Sequence, residues 1–265
     1  MEKSRLLKVT LLMLIMNCVG MGAYADETII SFADPNVKAI CVANWDTNGD
    51  GELSKDEAAA VTDLTTKFKG NTDITSFDEL QYFTGLTSIY GNGQRAVGAF
   101  AGCTNLISIT IPNTVTSIGY YAFSGCGKLS SIIIPESITT IGSNAFDYCS
   151  SLTSIILPEG TTTIGSMAFY QCKALSSINI PVGVTKIDYS TFDGCSSLTS
   201  ITLPEGVTSI GNSTFSGCSS LTSITLPEGV TSIGNSTFSG CSSLTSITLP
   251  EGVISIGNST FLSCI

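Results

Sequence analysis

In NWDTNGDGELSKDE, residues 44–57, side-chain oxygens recur at a spacing that could hold a hard cation. Counting Asp46 as position 1, Asn48 is at 3, Asp50 at 5 and Glu57 at 12, with Gly51 at 6 where the chain must turn sharply. Glu52 at position 7 offers its backbone carbonyl, and Ser54 at position 9 offers its hydroxyl, directly or through a water. Calcium takes about six to eight oxygens around one point, and this order wraps them about it, with Glu57 closing the cage. The expectation is one structural calcium ion held by Asp46, Asn48, Asp50, Glu52, Ser54 and Glu57. A polar Asp/Asn/Gly turn that binds nothing is the plain alternative. NTDITSFDEL lacks both the glycine and the closing acid, so no second loop is seen. A single loop of this kind implies an affinity on the order of 10⁻⁴–10⁻³ M, which suits calcium outside the cell.

Other chemistry is scarce. The chain has no histidine, which removes the commonest general base and the commonest zinc ligand together. No acid, base and nucleophile converge in the sequence, so an enzyme is not expected. Acidic residues outnumber basic ones 21 to 11, which argues against nucleic acid as a partner, because phosphate needs a basic footprint.

The cation loop needs an element on each side. Asp34-Pro35 suits a helix start, and Val37, Ile40 and Cys41 follow at helical spacing. Beyond the loop, Ala58, Val61, Leu64 and Phe68 predict an exit helix stopped by Gly70. Helix, loop and helix form an EF-hand-like head over residues 26–73.

Cysteines then fall at 103, 126, 149, 172, 195, 218, 241 and 264, every interval being 23 residues. Seven units lie between them, and Ser196–Cys218 and Ser219–Cys241 are identical. A fixed period of this length means stacked structural repeats. In Ser196–Cys218, LTSITLP reads as a strand with Ile201 and Leu203 inward and Thr202 outward. Pro204 ends it, because proline has no N–H for a ladder. VTSIG suits a second short extended segment, and NSTFSGC a turn or one 3₁₀ turn anchored by its Phe. The cysteine column shares the inward phase. Nine cysteines in the exported chain cannot all pair, which favours small buried thiols over disulfides.

These units resemble the BspA-like leucine-rich repeat, L-x-x-I-x-I/L-P…V-x-x-I-G-x-x-A-F-x-x-C. Ala122-Phe123, Ala145-Phe146 and Ala168-Phe169 match its A-F step, and Thr214-Phe215 and later copies replace the Ala. The resemblance covers about residues 74–264. It implies a mainly β, right-handed leucine-rich-repeat solenoid of 23-residue rungs behind a small helical EF-hand-like head. It also implies an exported or surface protein of anaerobic bacteria or protozoa that acts by adhesion and host-protein binding. The head is similar to segments found on such proteins. The join, residues 74–103, reads as an N-terminal cap and irregular first repeat. In it Ser76–Glu79 forms a capping box for a helix to about Phe83, Leu86–Ile89 is the first strand, and YGNGQRAV departs from the repeat. Residues 104–265 hold the seven regular repeats.

Equivalent exposed positions line up from rung to rung and make a solenoid's binding surface. The uniform column is Ser108, Ser131, Ser154, Ser177, Ser200, Ser223 and Ser246. Beside it run Thr110, Ile133, Ile156, Asn179, Thr202, Thr225 and Thr248. After each proline come Asn113, Glu136, Glu159, Val182, Glu205, Glu228 and Glu251. The serine column with Thr202, Thr225 and Thr248 is the candidate face for a protein or glycan, edged by carboxylates that favour basic partners. A solvated surface copied by duplication is the alternative.

Residues 1–25 have a basic start at Lys3, Arg5 and Lys8, an apolar run Val9–Val19, and Ala23-Tyr24-Ala25 as a cleavage signature. They read as a signal peptide too short to span a membrane, with lipidation at Cys18 as the lesser alternative. Loss of this segment leaves 20 acidic against 8 basic residues. The expected protein is secreted or on the cell surface and binds another macromolecule through its repeats. The competing readings are a spacer module of a truncated larger surface protein, and dockerin-like docking through the calcium head. The last repeat lacks a cap, which makes it a candidate for self-association.

Overall fold

Leu198, Ile201, Leu203, Val207, Ile210, Phe215 and Cys218 point inward because no single 23-residue unit can bury them alone. In the computed structural model, which describes residues 28–90 and 98–264, each rung lies on the next and buries these columns. The signal-peptide reading, the departure over 91–97 and Ile265 lie outside the described residues. The molecule is mainly β, a parallel solenoid.

Two strand ladders run along it. The first joins Ser76–Phe77 to Ser108–Ile109, Ser154–Ile155 to Ser177–Ile178, and Ser200–Thr202 to Ser223–Thr225, all parallel. Single bridges at Thr110–Ile133 and Thr225–Thr248 extend it. The second ladder passes through Ser88–Ile89, Ser117–Ile118, Thr140–Ile141 and Thr163–Ile164. It resumes through Lys186–Ile187, Ser209–Ile210, Ser232–Ile233 and Ser255–Ile256.

The interruption between Ile164 and Lys186 has a steric cause. In the other regular rungs a glycine follows the second strand, and rungs touch there: a Cβ on Gly165 would lie 2.5 Å from the Ser143 nitrogen, and one on Gly211 2.7 Å from the Asp188 carbonyl carbon. Asp188 occupies this column in the rung Lys173–Cys195, so its backbone cannot close on the preceding rung in the same way.

The segment expected as a turn is also a ladder. The amides of Tyr121, Phe123 and Gly125 donate to the carbonyls of Ser143, Ala145 and Asp147 one rung on, at 3.1, 2.8 and 2.8 Å. Those of Ser213, Phe215 and Gly217 repeat this toward Asn235, Thr237 and Ser239. Rungs are therefore bonded to their neighbours on three sides, except where the second ladder breaks between Ile164 and Lys186. The Phe rings stack beneath, 5.3–5.7 Å apart and within 8° of parallel from Phe100 to Phe261. Where Thr replaces Ala before the Phe, the buried hydroxyl is satisfied. Thr214 Oγ1 lies 2.8 Å from the Gly211 carbonyl and 3.1 Å from that of Asp188.

The cysteines are buried free thiols, Cys264 being half-buried. Each rung thiol donates to a Phe carbonyl of the rung below, as Cys195 Sγ does to Phe169 O at 3.2 Å.

The head and the join differ from expectation at three points. Its first helix, α1, spans Pro35–Trp45, but the exit helix, α2, spans only Lys55–Ala60. Val61 to Phe68 is not helical. Phe68 instead heads the Phe stack, 5.2 Å from Phe100, and its carbonyl accepts the Cys103 thiol at 3.0 Å. The Ala58–Phe68 spacing suggested a helix because inward positions of a rung also recur at three- and four-residue intervals. Ser76 does not cap a helix: it pairs with Ser108, and the 3₁₀ helix Asp78–Tyr82 starts without a side-chain cap. Leu86–Ile89 is not the first strand of its rung but the second, since Ser88 pairs with Ser117. One hydrophobic core runs from Ile30 in the head to Leu244.

Candidate functional site

The serine column faces outward. Ser131, Ser154, Ser177, Ser200, Ser223 and Ser246 are exposed, as are Thr202, Thr225 and Thr248. Ser108 is the exception: its hydroxyl lies 3.1 Å from Asp78 Oδ2, while Thr110 meets Asp78 Oδ1 at 3.2 Å, so the first rung's hydroxyls are held by the 3₁₀ helix.

The neighbouring column carries the stronger signal. Ile133 and Ile156 are 76% and 77% exposed, and Val182, standing where other rungs have Glu, is 74% exposed. Large apolar side chains this open to water on successive rungs make a contiguous patch of the kind that marks a contact surface. Around Ile156 and Val182 the first-ladder face opens into a groove of about 870 Å³, lined also by Ser177, Asn179, Ser200 and Thr202. The groove lies where the ladder is not continuous, between Ser177–Ile178 and Ser200–Thr202. Toward the preceding rung, the Asn179 side-chain amide accepts from the Leu157 N–H and donates to the Leu157 carbonyl, both at 2.8 Å, extending the pairing of Ser154–Ile155 with Ser177–Ile178. The rung Lys173–Cys195 thus combines Asn179, Val182 and Asp188; the first two line the groove, while Asp188 stands at the break in the second ladder.

Glu136, Glu159, Glu205, Glu228 and Glu251 are exposed along the adjoining edge. Among the described residues the cations in ion pairs are Lys38, with Glu52, and Lys186, with Asp188, so this carboxylate row is left to solvent.

In the head, Asp46, Asn48, Asp50, Glu52, Ser54 and Glu57 are brought into one loop, but the Glu52 carboxylate pairs with Lys38 and the oxygens of the others face the loop's own N–H groups. Asp46 accepts from Gly49 and Gly51 at 2.7 and 2.9 Å. Asn48 and Asp50 accept from the amides two residues on, each at 2.8 Å. Glu57 Oε1 takes the amides of Thr47 and Asn48, and Oε2 the amide and hydroxyl of Ser54. Ser54 is buried and in turn accepts from the Glu57 amide, a complete capping box for α2. Burial opposes ionisation of Glu57, but the donors from Ser54 and Thr47 outweigh it and bring the carboxyl down to about 2. The donor set suits calcium chemically. Among the described residues, however, no three acidic, His or Cys side chains converge as a metal group.

The loop is closed in another way. The Ile30 amide donates to the Leu53 carbonyl at 2.9 Å, and Lys55 to Thr28 at 3.1 Å, so Thr28–Ile30 lies against the loop as a short antiparallel bridge. That contact is not legible in the sequence, because ETIISF carries no turn or motif to announce it.

The stacked 23-residue rungs, the Phe and Cys columns and the three ladders define a leucine-rich-repeat solenoid. The sequence matches the BspA type leucine rich repeat region in six copies, over residues 75–199 and 162–265, and the chain belongs to that family. Its members are typically cell-surface or secreted binding proteins. A leucine-rich repeat protein from Bacteroides ovatus ATCC 8483 shares 21% identity over 89% of this chain and 83% of its own, with a TM-score of 0.51. One from Eubacterium ventriosum ATCC 27560 shares 24% over 74% of this chain and 54% of its own, with a TM-score of 0.60. A leucine rich cell surface protein from Faecalibacterium prausnitzii A2-165 shares 26% over 69% and 68%, with a TM-score of 0.45. No functionally curated protein matches. No helix among the described residues is long and apolar enough to cross a membrane.

Proposed function

We propose that this is an exported or cell-surface adhesion protein that binds another protein through the first-ladder face. The groove at Ile156 and Val182 carries this reading, because two successive rungs, Ser150–Cys172 and Lys173–Cys195, expose large apolar side chains side by side there. The serine column supplies a flat polar surround, and the glutamate row favours a basic edge on the partner. The test is binding of residues 26–265 to an array of extracellular host proteins, repeated with Ile156→Asp/Val182→Asp. A captured partner lost by that variant, with its far-UV circular dichroism unchanged, is the expected result. An array without partners, or partners retained by the variant, would sink the reading.

A second reading concerns the head. The loop already winds its backbone around the Asp46 carboxylate, with Gly49 and Gly51 at φ 75° and 84°. We propose that Asp46, Asn48, Asp50, the Glu52 carbonyl and Glu57 hold a structural calcium ion, Ser54 serving through the cap of α2. Calcium supplies a charge that draws these oxygens together. The chain's own part is the turn and the α2 cap. Millimolar calcium should raise the melting temperature, EDTA should reverse it, and Asp46→Asn should abolish the shift. A melting curve indifferent to calcium rejects the site.

A further inference from the structure

Five of the chain's eight tyrosines, Tyr120, Tyr121, Tyr148, Tyr170 and Tyr189, stand on the third side of the solenoid within four successive rungs. This is a different side from the groove. Tyr148 and Tyr189 are 52% and 50% exposed, and Tyr148 meets Tyr170 edge-on at 5.3 Å between centroids. Contact with Tyr148 raises the Tyr170 phenol above its ordinary value, and Tyr189, one rung on, stands exposed beside this pair on the same side of the solenoid. Their backbones are fixed by the ladder: the Tyr148 amide donates to the Tyr170 carbonyl at 2.8 Å, and the Met167 amide to that of Tyr189 at 2.9 Å.

Tyr148 stands at φ 56° in a column where Gly102, Gly125, Gly194, Gly217 and Gly240, and also Gln171 at 57°, take the same left-handed turn. The fold does not need a ring here, since the other rungs do without one.

The surroundings indicate what the rings would meet. Asp193, partly exposed, holds the Ser190 hydroxyl at 3.2 Å. Asp147 is 6% exposed; its Oδ2 takes the Asn144 amide at 3.0 Å, while Oδ1 has no partner, the Ser124 hydroxyl nearby failing to meet it in hydrogen-bonding geometry. The Gln171 amide lies over Gly194. The segments 119–126, 142–149, 165–172 and 188–195 contain no Lys or Arg. Rings fixed by the ladder and edged by carboxylate and amide acceptors, with Lys173 and the Asp188-paired Lys186 flanking the segments, match a ligand having apolar C–H faces and many hydroxyl donors, and the carboxylates disfavour negative charge on it.

We propose that Tyr148, Tyr170 and Tyr189 form a binding site for a neutral oligosaccharide, with Asp193 and Gln171 bonding its hydroxyls. The probes are cellohexaose, maltoheptaose, mannohexaose and xylohexaose, titrated calorimetrically into residues 26–265. The variant Tyr148→Gly/Tyr170→Ser/Tyr189→Ser places at each position a residue that other rungs already use, so its fold is protected. At least one probe should bind, and this variant should weaken it tenfold or more, while Ile156→Asp/Val182→Asp leaves it unchanged. If none of the four binds, or the tyrosine variant binds as well as the parent, the proposal is overturned. Capture of a protein through these tyrosines without sugar binding would overturn it equally.

Discussion

Gly165 shows how closely the rungs are set. Its added Cβ would meet the Ser143 nitrogen at 2.5 Å and the Gly142 carbonyl carbon at 2.8 Å, backbone atoms that cannot move aside without opening two ladders. At Gly160 the nearest atom is the Glu136 carbonyl at 3.9 Å. Gly165→Ala should therefore cost about 1–3 kcal/mol, and Gly160→Ala close to nothing, by thermal unfolding. Equal shifts for the two would contradict the close approach. The buried thiols set a second residue-scale property. Burial pushes the Cys103 and Cys241 thiols up to about 12 from an ordinary 9.0, and those of Cys149, Cys195 and Cys218 well above it. A raised folded value means that the unfolded chain loses its protons first. Stability is then complete below about pH 9 and falls as pH rises toward 12, by about 1.4 kcal/mol per pH unit for each such thiol. The stack should unfold steeply in this window, and Cys195→Ala should flatten the decline; an unchanged slope would refute it. The inward phase of the cysteine column made the buried thiols legible in the sequence. Their bonds to Phe carbonyls were not, because those join residues 26 apart on successive rungs.

At the scale of elements, Asp34 joins head to solenoid. Its Oδ1 caps α1, accepting from Asn36 at 2.9 Å, while Oδ2 takes the Thr75 amide at 2.6 Å and hydroxyl at 2.9 Å, beside the strand Ser76–Phe77. Burial resists its charge, but the bonds from Thr75 and Asn36 prevail and hold its carboxyl below the ordinary range. Asp34→Ala removes the cap and strands the Thr75 donors, for a cost of about 2–4 kcal/mol. Hydrogen exchange should speed in both α1 and Ser76–Phe77; loss of protection in α1 alone would refute the coupling. The sequence announces half of this. Asp34-Pro35 predicts the helix start from local geometry, whereas Thr75 is 41 residues away and nothing local marks it. The same limit explains Leu86–Ile89. LTSI fits either strand of a rung, and only its pairing with Ser117 shows that it is the second. The repeat itself was legible because period and burial coincide. The groove was only partly so: Ile156, Asn179 and Val182 stand out as departures, but the break in the ladder that opens the surface appears only when rungs are stacked.

For the whole molecule, stability resides in contacts between adjacent rungs, so its sequence should be divisible in units of 23 and in no others. Ser196–Cys218 and Ser219–Cys241 are identical, and Ser242–Cys264 differs from them only at Ile254, Leu262 and Ser263. Removing Ser219–Cys241 sets Ser242–Cys264 directly on Ser196–Cys218. The bond from the Phe215 amide to Thr237 is then replaced by the same bond to Thr260, as Phe238 now makes it at 2.9 Å. Phe261 stacks on Phe215 as Phe238 does at 5.5 Å. One interface is lost and no new kind of contact is created, so melting should fall by about 5 °C or less, with strand content per residue retained. Removing Ser219–Gly240 instead leaves one extra residue at the junction, and a slip of one residue turns inward side chains outward. That variant should lose the last rung or fail to fold. Equal stability of the two deletions would show that the rungs are not the cooperating units. The in-register deletion lies beyond residues 154–204 and the Tyr148–Tyr189 patch, so binding at either surface should survive it. A partner lost with the excised copy would place the contact on the repeated rungs instead.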